Sequence, residues 1–250
     1  MMKKFSPIQL KLLSCLEDGH YHTGNALGQQ IGVTRTAIWK QMTQLHALGV
    51  PIQRAPQRGY RLEDSMIFLN EQCIDMELRR QGFKKNIHYH LYASIDSTNR
   101  MLKDLPRGDA IDICCAELQT AGRGRFHRPW FSPFGENIYL SSRWHFNGDL
   151  SSLSGLSLVV SLTVLNVIHD QGIKESLFVK WPNDLLWSDK KISGNLIEII
   201  AESNSGADIV IGIGLNVNSL SKHHDSTLQP STPWCSLREI TDSYHDRNRL

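Results

Sequence analysis

The stretch TAGRGRFHRPWFSPFGENIYL, residues 120–140, carries three arginines, three glycines and two prolines around Trp130. Neither helical nor alternating periodicity begins until NIYLSSRW, so residues 120–136 read as a loop that runs into a strand. A loop this long inside a compact domain is either a functional element or a disordered one. Arg123, Arg125 and Arg128 offer forked donors suited to carboxylate or phosphate, and Gly122 and Gly124 let the backbone approach a ligand. Ordering about eight residues costs on the order of 1–2 kcal/mol each, and a charge-assisted hydrogen bond contributes about 1.5–3 kcal/mol. The expectation is a loop that is mobile alone and closes when it grips an anion and covers Trp130. GRGRFH is not a dinucleotide fingerprint, because His127 stands where the last glycine belongs and no helix follows; GxxxxGK[ST] is absent. Taken alone, the loop leaves a solvated, arginine-rich surface segment open as the alternative.

Strands and helices alternate irregularly on either side of the loop. NIHYHLYASI, DICCAEL, NIYLSSRWHF, SLFVKW, DLLW, KISGNLIEII and DIVIGIGLNVN read as strands. EQCIDMELRRQG, STNRMLKDL and LSGLSLVVSLTVLNVIHDQG read as helices. The pattern is α+β: a mixed sheet backed by helices.

A chain of 250 residues holds one or two domains, and 21% charged with 40% apolar residues is an ordinary globular composition. No run of about 18 apolar residues suggests a membrane span, and the basic start lacks a small-residue cleavage site. Cysteines at 15, 73, 114, 115 and 235 form no CxxC, and neighbours in a strand point to opposite faces. Reduced thiols in a cytoplasmic protein are expected, with no shared metal.

Charge is uneven. Residues 1–62 hold eight Lys or Arg against two Asp or Glu, net +6, and the remainder holds 19 against 23, net −4. In the basic segment, SPIQLKLLSCLEDG places Ile8, Leu12, Cys15 and Leu16 on one helical face. TGNALGQQIG and VTRTAIWKQMTQLHALG give two further helices, opened by Thr23 and Thr34, with Ala26, Leu27 and Ile31 facing Ile38, Met42 and Leu45. PIQRAPQRGYRL then reads as a β-hairpin, completing the winged helix-turn-helix order over residues 1–64. Thr34, Arg35, Thr36, Trp39 and Lys40 would face DNA, with Arg54, Arg58 and Arg61 on the wing. The bland alternative is a helical packing module with solvated charges.

Six motifs occur in order along the remaining chain: IDSTN at 95–99, QTAGRGR at 119–125, RPWFSPFGENIYLS at 128–141, KWPNDL at 180–185, KKISGNLIE at 190–198 and IGIGLNVN at 211–218. With the winged helix, they make the chain resemble the bifunctional biotin–protein ligase and biotin operon repressor family. The resemblance implies a biotin/lipoate-ligase-like catalytic domain over residues 65–250. It also implies condensation of biotin with MgATP to biotinyl-5′-adenylate, and transfer of biotin to a lysine of a biotin carboxyl carrier protein. The adenylate-loaded form is expected to dimerise and repress biotin-synthesis genes at operator DNA.

By the same resemblance, Ser97, Thr98, Asn99 and Gln119 meet the neutral ureido ring, although STN also suits a helix N-cap. Gly212 and Gly214 give a bare backbone wall for biotin, the alternative being a bulge. Arg123, Gly124 and Arg125 close over biotin and phosphate, Arg128 joins on the nucleotide side, and Trp130 stacks on the ligand. Lys191, otherwise a hairpin-turn lysine beside Lys190, relieves repulsion between carboxylate and phosphates, with Arg123 and Arg125 as its catalytic companions. Asn183, Asp184 and Asn216 serve ATP, and Asp184 could hold Mg²⁺, but a Pro-Asn-Asp turn reads equally well. His223 and His224 look like surface residues.

Two departures stand out. Phe126-His127 replaces an Arg-Gly common in relatives, which implies weaker retention of the adenylate. The family also continues with a small β-barrel domain beyond the position of Leu250, so an uncovered apolar face is expected. The alternatives are a non-catalytic biotin-sensing DNA-binding repressor and a lipoate-type ligase.

Overall fold

The computed structural model describes residues 2–63, 66–106, 108–148, 150–203, 206–221 and 232–250. The expected boundary after residue 64, and His223 with His224, lie outside the described residues.

Helix α1, Pro7–Leu16, starts at a capping box: the Ser6 hydroxyl accepts from the Gln9 N–H at 3.2 Å, and the Gln9 side chain accepts from the Ser6 N–H at 2.9 Å. Its buried face is Gln9, Leu12, Leu13 and Leu16; Ile8 and Cys15 are only partly covered, so the face is rotated from the expected one. Thr23 and Thr34 cap α2, Gly24–Ile31, and α3, Arg35–Ala47, through the N–H groups of Ala26 and Ala37. Gly32, at φ +81°, makes the left-handed turn between them. Leu27, Ile38, Met42 and Leu45 are buried as expected, whereas Ala26, in the first turn of α2, is exposed. The wing pairs β1, Ile52–Ala55, with β2, Gly59–Leu62.

The remainder is a seven-stranded sheet of β3, Ile87–Tyr92; β4, Ile111–Ala116; β5, Ile138–Asn147; β6, Leu177–Lys180; β7, Asp184–Trp187; β8, Lys190–Ser203; and β9, Gly206–Leu215. Its order is β3-β4-β5-β9-β8-β7-β6, with β3 and β4 parallel and the other neighbours antiparallel. Helix α4, Glu71–Arg80, precedes the sheet. Helix α5, Thr98–Asp104, buries Met101 and Leu102 against Cys114, Ala116 and Val210. Helix α6, Leu156–Asp170, buries Val164 and Ile168 against Leu185, Ile192 and Leu215. A short α7, Leu237–Thr241, is absent from the sequence reading, although its Ser236–Glu239 capping box is a local signal.

The winged helix and the sheet share a core. Phe5, Phe68 and Phe134 pack with ring centroids 6.0–6.3 Å apart, and Leu12, Leu45 and Leu62 belong to the same cluster. Near the carboxyl end, Arg247 pairs with Glu117 at 2.7 Å, donates to the carbonyls of Asn137 and Ile67, and so ties the linker to the sheet. The five cysteines are unpaired, and burial pushes the Cys115 and Cys235 thiols up to about 12, which suits inert core roles. Among the described residues no helix is long and apolar enough to cross a membrane.

Candidate functional site

A cavity of about 710 Å³ opens over β5, β8 and β9 between the start of α5 and the arginine loop. Ser97 caps α5, its oxygen accepting from the Arg100 N–H, which places Ser97, Thr98 and Asn99 at the cavity wall. Gln119 accepts from the Thr98 N–H at 2.9 Å and donates to Ser132 Oγ at 3.2 Å. The Ser132 hydroxyl in turn donates to the Trp130 carbonyl at 3.0 Å. Ser141, fully buried, lies 2.7 Å from Thr98 Oγ1 and 2.6 Å from Asn99 Oδ1.

The arginine loop is more structured than its sequence suggests. Trp130 N–H donates to the Gly122 carbonyl and Gly124 N–H to the Arg128 carbonyl, both at 2.8 Å, and residues Arg125–His127 form one 3₁₀ turn. Arg123, Gly124, Arg125, Arg128 and Trp130 all line the cavity. Arg128 and Phe126 are exposed, and the Arg125 guanidinium lies 5.2 Å from the Phe126 ring centroid. Phe126 and His127 sit at φ +55° and +57°, in the left-handed region that favours glycine, so this sequence strains the turn where an Arg-Gly pair would ease one of its two positions.

Arg123 Nε and Trp130 Nε1 are buried donors without a protein acceptor. Lys191 Nζ lies 2.7 Å from Asp184 Oδ1 and 5.2 Å from the Trp130 ring centroid. Glu198 accepts from Asn99 Nδ2 at 2.9 Å and Lys103 Nζ at 3.0 Å, with Arg123 at 3.6 Å. Burial alone would raise the Glu198 carboxyl; the hydrogen bonds from Asn99 and Lys103 and the nearby cations outweigh it and hold it below the usual range.

Three expectations change. Gly212 and Gly214 line the cavity, but their faces are not bare: a Cβ on Gly212 would lie 2.0 Å from Asn99 Oδ1, and one on Gly214 would lie 2.4 Å from the Trp130 indole. Both glycines are required by side chains of the protein itself. Asn183 and Asn216 also line the cavity, but their Nδ2 groups are committed to backbone: Asn183 to the Asn195 carbonyl, Asn216 to those of Lys191 and Cys235. Asp184, the candidate Mg²⁺ ligand, is engaged with Lys191, and the described residues contain no group of three His, Cys, Asp or Glu able to hold a metal. This donor set fits a metal that arrives with the phosphates of a nucleotide, not a resident ion.

Glu198, Lys103, Ser132 and Ser141 escaped assignment from sequence. An acid within the apolar run NLIEII was the one signal for Glu198. Phe131 and Trp234 also line the cavity, their ring centroids 6.0 Å apart.

On the winged helix, Thr34, Arg35, Thr36, Trp39 and Lys40 are all exposed around the start of α3, as are Arg54 and Arg58 on the wing. Arg35, Thr36, Trp39 and Arg54 line a groove of about 750 Å³ between α3 and the wing. Arg58 and Arg61 stack on Tyr21 at 4.3 and 4.9 Å, and Arg61 also donates to Gln53, which leaves it the most restrained wing cation.

The profile of the Biotin/lipoate A/B protein ligase family matches residues 91–216, and that of an HTH domain matches residues 8–61. The chain is 37% identical over 251 residues to "Bifunctional ligase/repressor BirA" from Salmonella typhimurium and, equally, to its namesake from Escherichia coli. Each match covers 99% of this chain and 74% of the relative. The structure of a biotin protein ligase from Aquifex aeolicus in complex with biotin and ATP is similar at a TM-score of 0.50 and 31% identity. That match covers 66% of this chain and 64% of the other.

Proposed function

Because the chain belongs to the biotin/lipoate A/B protein ligase family and carries a helix-turn-helix domain, we propose that it is a biotin–protein ligase that also represses transcription. It condenses biotin with ATP to biotinyl-5′-adenylate and pyrophosphate, then passes biotin to a lysine of a biotin carboxyl carrier protein. Loaded with adenylate, it pairs with a second copy and holds operator DNA upstream of biotin-synthesis genes. The cytoplasm, where ATP and DNA meet, is its compartment.

One observation carries the ligase reading: a single cavity joins a neutral hydrogen-bonding end, at Thr98 and Gln119, to a cationic end at Lys191 and the loop arginines. The neutral end suits a ureido ring, which needs directional bonds and no counter-charge. The cationic end suits the reaction. A carboxylate oxygen attacks the α-phosphorus, pyrophosphate leaves, and no general base is needed because the acid is already ionised. The obstacle is repulsion between carboxylate and phosphates. The Lys191 ammonium, held by Asp184, and the guanidinium of Arg125 or Arg123 lower it. Arg123 Nε and Trp130 Nε1, buried without acceptors, are donors for ligand oxygens. Were the nucleotide to carry Mg²⁺, Asp184, paired here with Lys191, is the carboxylate that would hold it, and the ion would offset phosphate charge. Arg128, Asn183 and Asn216 lie on the nucleotide side; the two asparagines act there as braces for the backbone. In the second step the lysine amine attacks the acyl carbon and AMP leaves.

The same polar end argues against a lipoate-type ligase. A dithiolane offers nothing to Thr98 and Gln119, and unpaired buried polar groups select strongly against such a ligand. With MgATP and a carrier domain, biotin is expected to release pyrophosphate and label the carrier. Lipoate is expected to give at least about 100-fold less. Equal use of lipoate, or biotin binding without turnover, would overturn the ligase reading in favour of the lipoate or sensor alternative.

A further inference from the structure

We infer that Trp39 is a base-reading residue, which recognises DNA by the 5-methyl group of thymine in the major groove. The inference rests on the DNA-binding reading and extends it to the chemistry of the site that is read. Trp39 is 52% exposed, and among the described residues of the winged helix no other Phe, Tyr or Trp is exposed. A large apolar ring left in water on a cationic surface is the informative exception to burial.

The core fixes where the ring points. Ile38, Met42 and Leu45 face inward and are buried, so Thr36, Trp39, Lys40 and Thr43 form the outward side of α3. Cations flank that side. A Cβ on Gly24 would lie 3.4 Å from Arg35 Cγ and 3.8 Å from Tyr60, so the Arg35 stem and the wing both close on the space Gly24 leaves. Arg54 is exposed on β1, and Arg35, Trp39 and Arg54 line the groove between α3 and the wing. In a segment of net +6, guanidinium groups on either hand suit phosphates, and the ring between them meets what lies in the groove.

Around Trp39 the outward side is poor in hydrogen-bonding groups. The Thr43 hydroxyl donates its one proton to the Trp39 carbonyl at 3.0 Å. The indole itself has a single N–H at its edge and no acceptor. A base edge laid against this ring loses water from its donors and acceptors and gains no partner for them, which selects against it. The major-groove edges of the base pairs carry one apolar group, the thymine methyl, and only there does the ring displace water without that loss. Sites held by this chain therefore carry thymine where Trp39 crosses the groove.

The test removes the methyl and nothing else. The full chain, with biotin and ATP present, selects duplexes from a randomised pool. The recovered consensus is then resynthesised with deoxyuridine in place of one thymidine at a time, which leaves every hydrogen-bonding atom where it was. By fluorescence anisotropy, at least one exchange is expected to weaken the parental chain by about fourfold, the effect of one buried methyl. In Trp39→Ala the same exchange is expected to change affinity by less than about 1.5-fold, since the methyl and the ring are coupled only to each other. That variant binds the unmodified consensus more weakly than the parental chain does, yet keeps its salt slope, because Trp39 neutralises no phosphate. Its thermal midpoint stays within a few degrees, as expected of an exposed residue. A methyl effect of equal size in the two proteins, or none at any thymine in the parental chain, would overturn the inference and leave DNA binding intact. A pool from which the parental chain recovers no preferred duplex would overturn the DNA-binding reading as well.

Discussion

Lys191→Ala is expected to lower biotin-dependent pyrophosphate release by on the order of 10²–10³, the loss associated with removing one preorganised donor aimed at developing charge. The reason lies in where the ammonium is held. Asp184 fixes it at 2.7 Å, the Trp130 ring lies 5.2 Å away, and even a Cβ on Gly194 would come within 2.9 Å of Nζ. A charge so confined needs no reorganisation when carboxylate and phosphate are pressed together. Stability changes little by comparison: the pair is partly exposed, and its loss costs about 1 kcal/mol. Rapid-quench measurement of pyrophosphate beside a thermal scan separates the two effects. A variant that makes adenylate at the parental rate removes Lys191 from the reaction.

Operator affinity is expected to fall by about 500-fold per protomer between 50 and 200 mM salt. Five cations, Arg35, Lys40, Arg54, Arg58 and Arg61, surround the start of α3 and the wing, in a segment of net +6. If each neutralises one phosphate, log K falls with log salt at a slope of about −4.5. Arg61 is tied to Gln53 and Tyr21, so its replacement is expected to change the slope less than that of Arg54, which is exposed on the outer strand. If adenylate-loaded protomers pair as proposed, adenylate is expected to raise affinity and leave the slope per protomer unchanged. Fluorescence anisotropy across a salt series gives the number. A flat dependence would mean that the basic surface is merely solvated.

What the sequence disclosed was whatever depends on neighbours along the chain. Thr23, Thr34 and Ser97 mark helix starts by a hydroxyl three residues before an N–H, and all three caps are present. The alternating runs became strands within a few residues of their expected ends, because one face of each meets a core. The ordered motifs brought Lys191, Arg123 and Gln119 to one cavity although they are far apart in the chain. What stayed hidden depends on partners distant in sequence. That Gly212 yields room to Asn99, and Gly214 to Trp130, is visible only once β9 lies under the loop. That Asn183 and Asn216 spend their amides on backbone follows from the positions of β8 and Cys235, which no local pattern encodes. Glu198, an acid in an apolar strand, takes its place only from Asn99, Lys103 and Arg123 around it. Ala26, expected to face inward, is exposed in the first turn of a short helix.

The central claim concerns the arginine loop: its positive turn closes over two negative groups and so permits their union. Trypsin cuts after Arg123 and Arg125 but not at the Arg128–Pro129 bond, so nicking followed by mass spectrometry reports the opening of this turn alone. With biotin and ATP together, the account predicts cleavage at both sites slower by about tenfold or more than in the free protein, with either ligand alone giving less protection. Cleavage that runs at the same rate in the presence and absence of both ligands would contradict it.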